Sequence, residues 1–355
     1  MVLRVAILLP SLVNKAPIQV AKDLTSEFVR SGASVCVYYF DDVVEVDFPC
    51  RTERISFFSA IDFELFDIIH SHMLRPDAYV WYRRLLKSCK KVGFVSTIHN
   101  IVEEDLYFNY GKLKSYVFSR LWRIFWSAQD ELVVLNNAAQ RYYKNFIGGR
   151  KTNVIYNGRA LSIFTPLAQE DLNRMESLHS KFQVLGSCAV LTRRKGLDQI
   201  IRILPECREY ALVVIGDGPA CSELKALAVE LGVAERCVFL GYRANAQSFL
   251  SQFDIYVMPS RSEGLPLALL EAAGNGLPVL CSDIEVFKEI FSFDEVSFFE
   301  LENEKDLVKA LKDTFENKAA LSSNVQEKYK NNFTDKVMAT RYLELFLALK
   351  NRKNY

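Results

Sequence analysis

Net charge is nearly absent from this 355-residue sequence: 44 Lys+Arg stand against 43 Asp+Glu. So balanced a chain has no long-range field to hold DNA or RNA, and no nucleic-acid partner is expected. Long hydrophobic runs are missing too. The longest early one, Val5 to Leu9, stops at Pro10, far short of the roughly 20 apolar residues a spanning helix needs, so neither a signal peptide nor an anchor is expected. Eight cysteines (Cys36, Cys50, Cys89, Cys188, Cys207, Cys221, Cys237, Cys281) are scattered without a C-x-x-C pair or a histidine at zinc-ligand spacing. That pattern argues for reduced thiols in a cytoplasmic protein and against a disulfide scaffold or structural zinc. No G-x-G-x-x-G opens either half, which argues against a nicotinamide dehydrogenase. What remains, 50% hydrophobic and 12% aromatic, is a globular composition long enough for two cores.

Short apolar runs alternate with helical periodicity from the start. Val2 to Leu9, the helical set Ile18, Ala21, Leu24 and Phe28, and the run Val35 to Phe40 form a βαβ unit. Asp67 to His70, Val92 to Ile98 and Glu131 to Leu135 continue it, as a parallel sheet covered on both faces would. A second series runs through Phe182 to Leu191, Ala211 to Ile215, Cys237 to Leu240, Asp254 to Met258 and Pro278 to Cys281. The fold class expected is α/β, with two doubly wound Rossmann-like domains, 1–160 and 161–334. Asn157 to Asp171, with Gly158 and Pro166 and no clear period, reads as the linker. A last helix over 335–350 carries Val337, Tyr342, Leu345, Phe346 and Leu349 and is expected to pack back on the first domain. Charge is shared unevenly: 21 Lys+Arg against 16 Asp+Glu up to Ala160, then 23 against 27.

The richest segment runs from Ser260 to Gly276. Pro266 suits the first turn of a helix and Gly276 its end, which leaves Glu263 and Gly264 in the loop before it. Amides around Gly264, Leu265 and Leu267 then lack helical acceptors and can receive an anion or sugar hydroxyls. Glu271 falls inside the helix, and its two carboxylate oxygens suit a vicinal diol such as a ribose. Spacing alone equally allows a dipole partner and a solvated helix residue. Arg193, Arg194 and Lys195 precede another helix; three cations at the positive end of a helix dipole call for an anion, and a diphosphate would serve, although a solvated basic turn is the plain alternative. Gly216-Asp217-Gly218 follows a strand, where its glycines permit either a simple tight turn or close approach of a ligand. His99, one of only four histidines, closes a strand at the carboxyl edge where open α/β sheets hold ligands. A lone imidazole there is more often simply satisfied by a neighbour. His70 and His72 read as packing or acceptor-side groups rather than metal ligands.

Ser-x-x-Glu-Gly-Leu-Pro at 260–266, a second Glu eight positions after the first, and Gly-Leu-Pro-Val at 276–279 resemble the E-x7-E signature of the family 4 retaining glycosyltransferases of the GT-B fold. Asp67-Ile-Ile-His-Ser-His72, Thr97-Ile-His-Asn100, Val154-Ile-Tyr-Asn-Gly158, Arg194-Lys-Gly196, Val214-Ile-Gly-Asp-Gly-Pro219 and Phe239-Leu-Gly241 resemble the same family in the expected order, from Val2 to about Leu349. The resemblance implies two domains facing a cleft, the first binding the acceptor and the second a nucleotide-sugar, UDP-linked above all. It implies glycosyl transfer with retention, with His99, Glu263 and Lys195 as the catalytic set and His99 reaching the donor sugar. Arg194, Lys195, Gly216, Gly264 and Leu265 would hold the diphosphate, and Glu271, Gly241 and Tyr242 the nucleoside.

Two departures accompany the resemblance. The family places an Arg five residues before the Lys, where this chain has Val190; Arg194 is the substitute. The family's first loop usually carries a Gly-Gly pair, and here Leu12-Val-Asn-Lys-Ala-Pro17 stands instead, with Asn14 and Lys15 as side-chain donors or acceptor-side residues. These departures fit a non-catalytic partner subunit as the rival; a nucleotide-sugar epimerase is the enzymatic runner-up. No cofactor is expected, and no metal, because cations already occupy its place and no Asp-x-Asp stands at a strand end. The acceptor expected is a glycan or lipid-linked sugar in capsule, O-antigen or exopolysaccharide synthesis. Lys112 to Trp126 reads as a helix with Leu113, Val117, Leu121 and Ile124 on one side and Phe118, Trp122 and Trp126 on another. Burial of both stripes is the preferred reading; a basic aromatic surface formed by the Phe118, Trp122 and Trp126 stripe, resting on the inner face of an anionic membrane, is the other.

Overall fold

The computed structural model describes residues 2–99, 102–103, 111–144, 152–161 and 165–354. The elements up to Ala160 are β1 (Arg4–Leu9), α1 (Ala16–Arg30), β2 (Ser34–Tyr39), β3 (Arg51–Arg54), β4 (Ile68–His72), α2 (Leu74–Leu86), β5 (Gly93–Ile98), α3 (Lys112–Trp126), β6 (Glu131–Val134), α4 (Asn137–Lys144) and β7 (Thr152–Val154). Then follow α5 (Gln169–His179), β8 (Gln183–Cys188), α6 (Leu197–Ile203), β9 (Tyr210–Ile215), α7 (Cys221–Glu230), β10 (Cys237–Gly241), β11 (Ile255–Met258) and α8 (Leu267–Gly274). The chain ends through β12 (Val279–Ser282), α9 (Glu285–Ile290), β13 (Ser297–Phe299), α10 (Glu304–Glu316), α11 (Lys318–Asn332) and α12 (Asp335–Asn354). Two compact units result, Met1–Ala160 with Phe333–Tyr355, and Leu161–Asn332.

In the first unit a parallel sheet runs β3-β2-β1-β4-β5-β6-β7. Its inner strands are continuous apolar runs because both faces are covered: Val5 to Leu9 are fully buried. The stripe Ile18, Ala21, Leu24, Phe28 lies inward along α1, and Phe28 meets Phe346 of α12 at 5.5 Å. Strand order reverses between β1 and β4. The second unit repeats the plan as β10-β9-β8-β11-β12-β13, also parallel, reversing between β8 and β11. Open α/β sheets bind ligands outside the carboxyl ends of the strands at such a reversal.

The segment from Asn157 does not behave as a linker at its start. Arg159 is buried, its Nη1 donating to Asp23 Oδ2 at 2.8 Å and its backbone N–H to the Phe333 carbonyl at 2.9 Å. The composition read as a linker hides an ion pair inside the first unit, and α5 begins before Asp171.

Helix α3 departs from both expectations made for it. Trp126 is 1% exposed, and the indole N–H groups of Trp122 and Trp126 donate to Asp77 Oδ2 at 2.7 and 3.0 Å. Ser71 Oγ donates to Asp77 Oδ1 at 2.6 Å, so one carboxylate ties α3 to α2 and β4. The opposite face is open: Leu113 is 79% and Ile124 50% exposed, with Val117 and Leu121 also exposed, and Phe118, grouped with the two tryptophans by period, is exposed as well. The tryptophan stripe is the inward one because it alone finds a buried acceptor.

Burial pushes the Asp77 carboxyl up to about 6, despite the donors around it. A raised carboxyl contributes stability that is complete below its unfolded value near 3.8 and is lost as pH rises through about 6. Asp77→Asn keeps an acceptor for the indoles without a charge to bury. Its urea midpoint should therefore change less than wild type between about pH 4 and pH 7. Parallel pH profiles for the two proteins would refute the assignment.

Candidate functional site

At the reversal in the second unit, the loops after β8 and β11 lie against each other. Gly196, with φ +67°, caps α6, and a Cβ there would stand 1.9 Å from the Pro259 carbonyl oxygen. Only glycine allows that approach. Gln199 Nε2 donates to the same carbonyl at 2.9 Å, and the Arg261 N–H donates to the Arg194 carbonyl at 2.8 Å. Arg261 also forks onto Asp198 at 2.9 and 2.8 Å, fixing the β11 loop to the first turn of α6.

This docking brings two predicted cations, Arg194 and Lys195, to one predicted carboxylate. Glu263, its side chain 5% exposed, accepts from Lys195 Nζ at 2.6 Å and Ser260 Oγ at 2.7 Å on Oε1, and from Arg194 Nη1 at 3.4 Å on Oε2. Burial alone would raise its pKa, but Lys195 and Arg194 outweigh burial and hold the carboxyl below its ordinary value. Glu263 is thus ionised, and one negative charge faces two cations that remain partly accessible. Arg193 instead turns away to Glu223, at 3.1 Å. Two carboxylates thus face the three cations at the helix start, and the surplus positive charge lies on the Arg194 and Lys195 side. Val190 is exposed and supplies no charge.

Helix α8 begins at Leu267, with Pro266 one residue earlier than expected, at its N-cap. Leu265 is buried. Glu271 lies on the second turn and accepts from Gln247 Nε2. The Tyr256 hydroxyl, held 3.3 Å from the Cys188 N–H and carbonyl, has its pKa raised first by burial and further by Cys188, Glu271 and Glu263. Both carboxylates therefore act on one buried phenol at the strand ends. Gly216, at φ +130°, donates its N–H to the Gly241 carbonyl at 2.8 Å, and a Cβ on it would meet the Ala189 carbonyl oxygen at 1.9 Å. Close backbone packing accounts for this glycine without a ligand. Tyr242, next to Gly241, is 65% exposed.

In the first unit His99 follows β5, and its Nε2 lies 2.9 Å from Nδ1 of His72 at the end of β4. His70, two residues earlier on the same face, lies 2.8 Å from Thr97 Oγ1, which in turn lies 2.8 Å from the Tyr342 hydroxyl of α12. Burial pulls His70 down to about 3 and His99 to about 4, and His72 well below its ordinary value. All three are neutral near pH 7. Among the described residues no three His, Cys, Asp or Glu side chains form a group that could hold a metal ion. Asn14 and Lys15 are exposed at the start of α1; the Asn14 N–H donates to Glu45 Oε2 at 2.8 Å and its Oδ1 accepts from Gln19 Nε2 at 2.7 Å. Asn100, part of the quoted Thr-x-His-Asn word, lies outside the described residues. Ser260, Gln247, Tyr256 and the pairing of His72 with His99 complete the site beyond the motif residues. Only the Ser at the head of the Ser-x-x-Glu word gave a signal in the sequence.

Two parallel doubly wound sheets, with a cation–carboxylate cluster at the reversal of the second, are the architecture of a GT-B glycosyltransferase. A family model for glycosyl transferases group 1 matches residues 169–334, and one for glycosyltransferase family 4 matches residues 51–162. The O-antigen biosynthesis glycosyltransferase WclY of Escherichia coli is 34% identical over 282 residues, 79% of this chain and 79% of that protein. The chain belongs to this glycosyltransferase family. Its fold is shared with sucrose-phosphate synthase from Thermosynechococcus elongatus, at TM-score 0.80 and 16% identity over 98% of this chain and 99% of that one. Anabaena HepE in complex with UDP and glucose matches at TM-score 0.79 and 16% identity, over 98% and 100%. No helix among the described residues is long and apolar enough to cross a membrane.

Proposed function

We propose that this glycosyltransferase moves a sugar, with retention of anomeric configuration, from a UDP-sugar to a glycan or lipid-linked acceptor during synthesis of a cell-surface polysaccharide. The observation that carries the reading is the meeting of Lys195 and Arg194 at buried Glu263, at the strand-order reversal of the second unit. Breaking a glycosidic bond through an oxocarbenium-like transition state leaves a diphosphate whose growing charge needs preorganised cations. Lys195 and Arg194 supply them in place of a metal, Glu263 fixes their position, and Glu271 receives the ribose diol. The first unit takes the acceptor and contributes His99 to the sugar. WclY, named for O-antigen biosynthesis, and HepE, solved with UDP and glucose, support the polysaccharide and donor assignments.

Incubation of purified protein with UDP-sugars, with and without acceptor, tests the reading. Slow release of UDP, speeded by acceptor, with the product anomer matching the donor, is expected. UDP binding without turnover would favour a non-catalytic partner subunit, and sugar interconversion without UDP release an epimerase.

The exposed face of α3 supports work at the inner surface of a membrane. Leu113, Val117, Leu121 and Ile124 are open beside Lys112, Lys114 and Arg120. Apolar insertion and about 1 kcal/mol per basic residue together suffice for reversible attachment. The protein should co-sediment with anionic but not neutral vesicles, and less so as Leu121→Ser with Ile124→Ser. No binding to anionic vesicles at low salt would favour a soluble acceptor.

A further inference from the structure

His72 and His99 share one hydrogen bond across 2.9 Å, between Nδ1 of the first and Nε2 of the second, with rings 27° apart. Both are neutral, so each carries a single ring proton, and only one can donate. If His99 donated, the proton of His72 would sit on Nε2. That atom is fully buried and has no hydrogen-bond partner among the described residues, so an N–H there would be an orphaned buried donor, which folded proteins rarely tolerate. If His72 donates from Nδ1, its Nε2 is a bare lone pair and no buried N–H is orphaned. His99 then accepts on Nε2 and carries its own proton on Nδ1.

We propose that His72 is a positioning residue that fixes the proton of His99 on Nδ1, so that His99 meets its ligand as a hydrogen-bond donor from that atom. The geometry behind it supports rigidity. His72 is wholly buried at the end of β4, its ring 4.2 Å from that of His70, and His70 is anchored through Thr97 to Tyr342 of α12. An imidazole held in one tautomer can distinguish a sugar oxygen that accepts from a group that only donates, whereas a freely exchanging one cannot. The functional half of the inference rests on the reading that His99 touches the transferred sugar; the tautomer half does not.

Long-range proton–nitrogen correlation spectra of the full chain labelled on histidine nitrogen test it, with His99→Asn used to assign the signals. Wild type should show His99 protonated on Nδ1 and bare on Nε2, and His72 likewise. His72→Phe should let the His99 pattern drift toward a tautomer mixture, and His72→Asn, whose side-chain amide keeps a donor near the Nδ1 position, should restore it. In steady-state assays His72→Phe should raise KM for the UDP-sugar about tenfold while leaving inhibition by UDP alone unchanged, with His72→Asn closer to wild type. A His99 protonated on Nε2 in wild type overturns the proposal without need of any variant. An Nδ1-protonated His99 whose loss leaves the UDP-sugar KM untouched upholds the tautomer and overturns only the assignment of His99 to the sugar.

Discussion

Replacing Lys195 with alanine should lower kcat by 10²-fold or more while changing donor KM much less. Lys195 Nζ lies 2.6 Å from Glu263 and remains partly accessible, so its ammonium is fixed before the donor arrives. A charge held in place acts on what develops at the transition state without reorganising, and loss of one such donor costs on the order of 10²–10³ in rate, about 3 kcal/mol. Arg194 should matter less. Its Nη1 is also given to the Ser262 carbonyl at 3.0 Å and reaches Glu263 only at 3.4 Å, so part of its capacity holds the loop. The Lys195→Ala protein keeps Ser260 and Arg194 on Glu263, which limits the damage to folding, and thermal unfolding beside the kinetics separates the two effects. Activity should survive EDTA in wild type. Complete loss in EDTA, restored by magnesium, would mean that the diphosphate is neutralised by a metal rather than by Lys195.

The sequence made the sheets legible wherever a strand is buried on both faces. Val5 to Leu9 and Ala211 to Ile215 are unbroken apolar runs because every neighbour is another covered element. The strands it hid are the short outer ones. β3 is Arg-Thr-Glu-Arg, mostly exposed at the sheet edge, and β7 and β13 are three residues each, too few for a period to show. Helical period likewise separated the two faces of α3 but not inside from outside. That choice is made by Asp77, 45 and 49 residues before its indole donors, and no local pattern carries it. The site divides in the same way. Glu263, Glu271, Lys195 and His99 stood out by motif, and Ser260 shared the word that carries Glu263, but the other orienting partners are distant in sequence: Gln247 is an amide 24 residues from Glu271, and His72 a strand residue 27 positions from His99. The departures in the first loop have a local account, since Asn14 and Lys15 lead directly into α1, with Pro17 in its first turn and Asn14 tied to Glu45.

Glu271→Ala should weaken binding of UDP by about 1.5 to 3 kcal/mol, the range for a lost hydrogen-bonding charged group. The side chain leaves the second turn of α8, a helix whose Leu269, Leu270, Ala272 and Ala273 are fully buried, so the backbone beneath Glu271 cannot shift to compensate. Gln247 donates to Oε1 and fixes the rotamer, which aims the carboxylate before any nucleoside binds. The two substitutions should therefore be non-additive: Gln247→Ala alone costs less than Glu271→Ala, and adding it to Glu271→Ala costs almost nothing more. Glu263→Gln supplies the contrast, because it disturbs Lys195 and Arg194, the cations proposed to receive the diphosphate, and should alter turnover more than UDP affinity. Calorimetry with UDP on the folded variants measures the first effect directly. Full affinity in Glu271→Ala would remove this carboxylate from the nucleoside site and leave it a helix residue that accepts from Gln247.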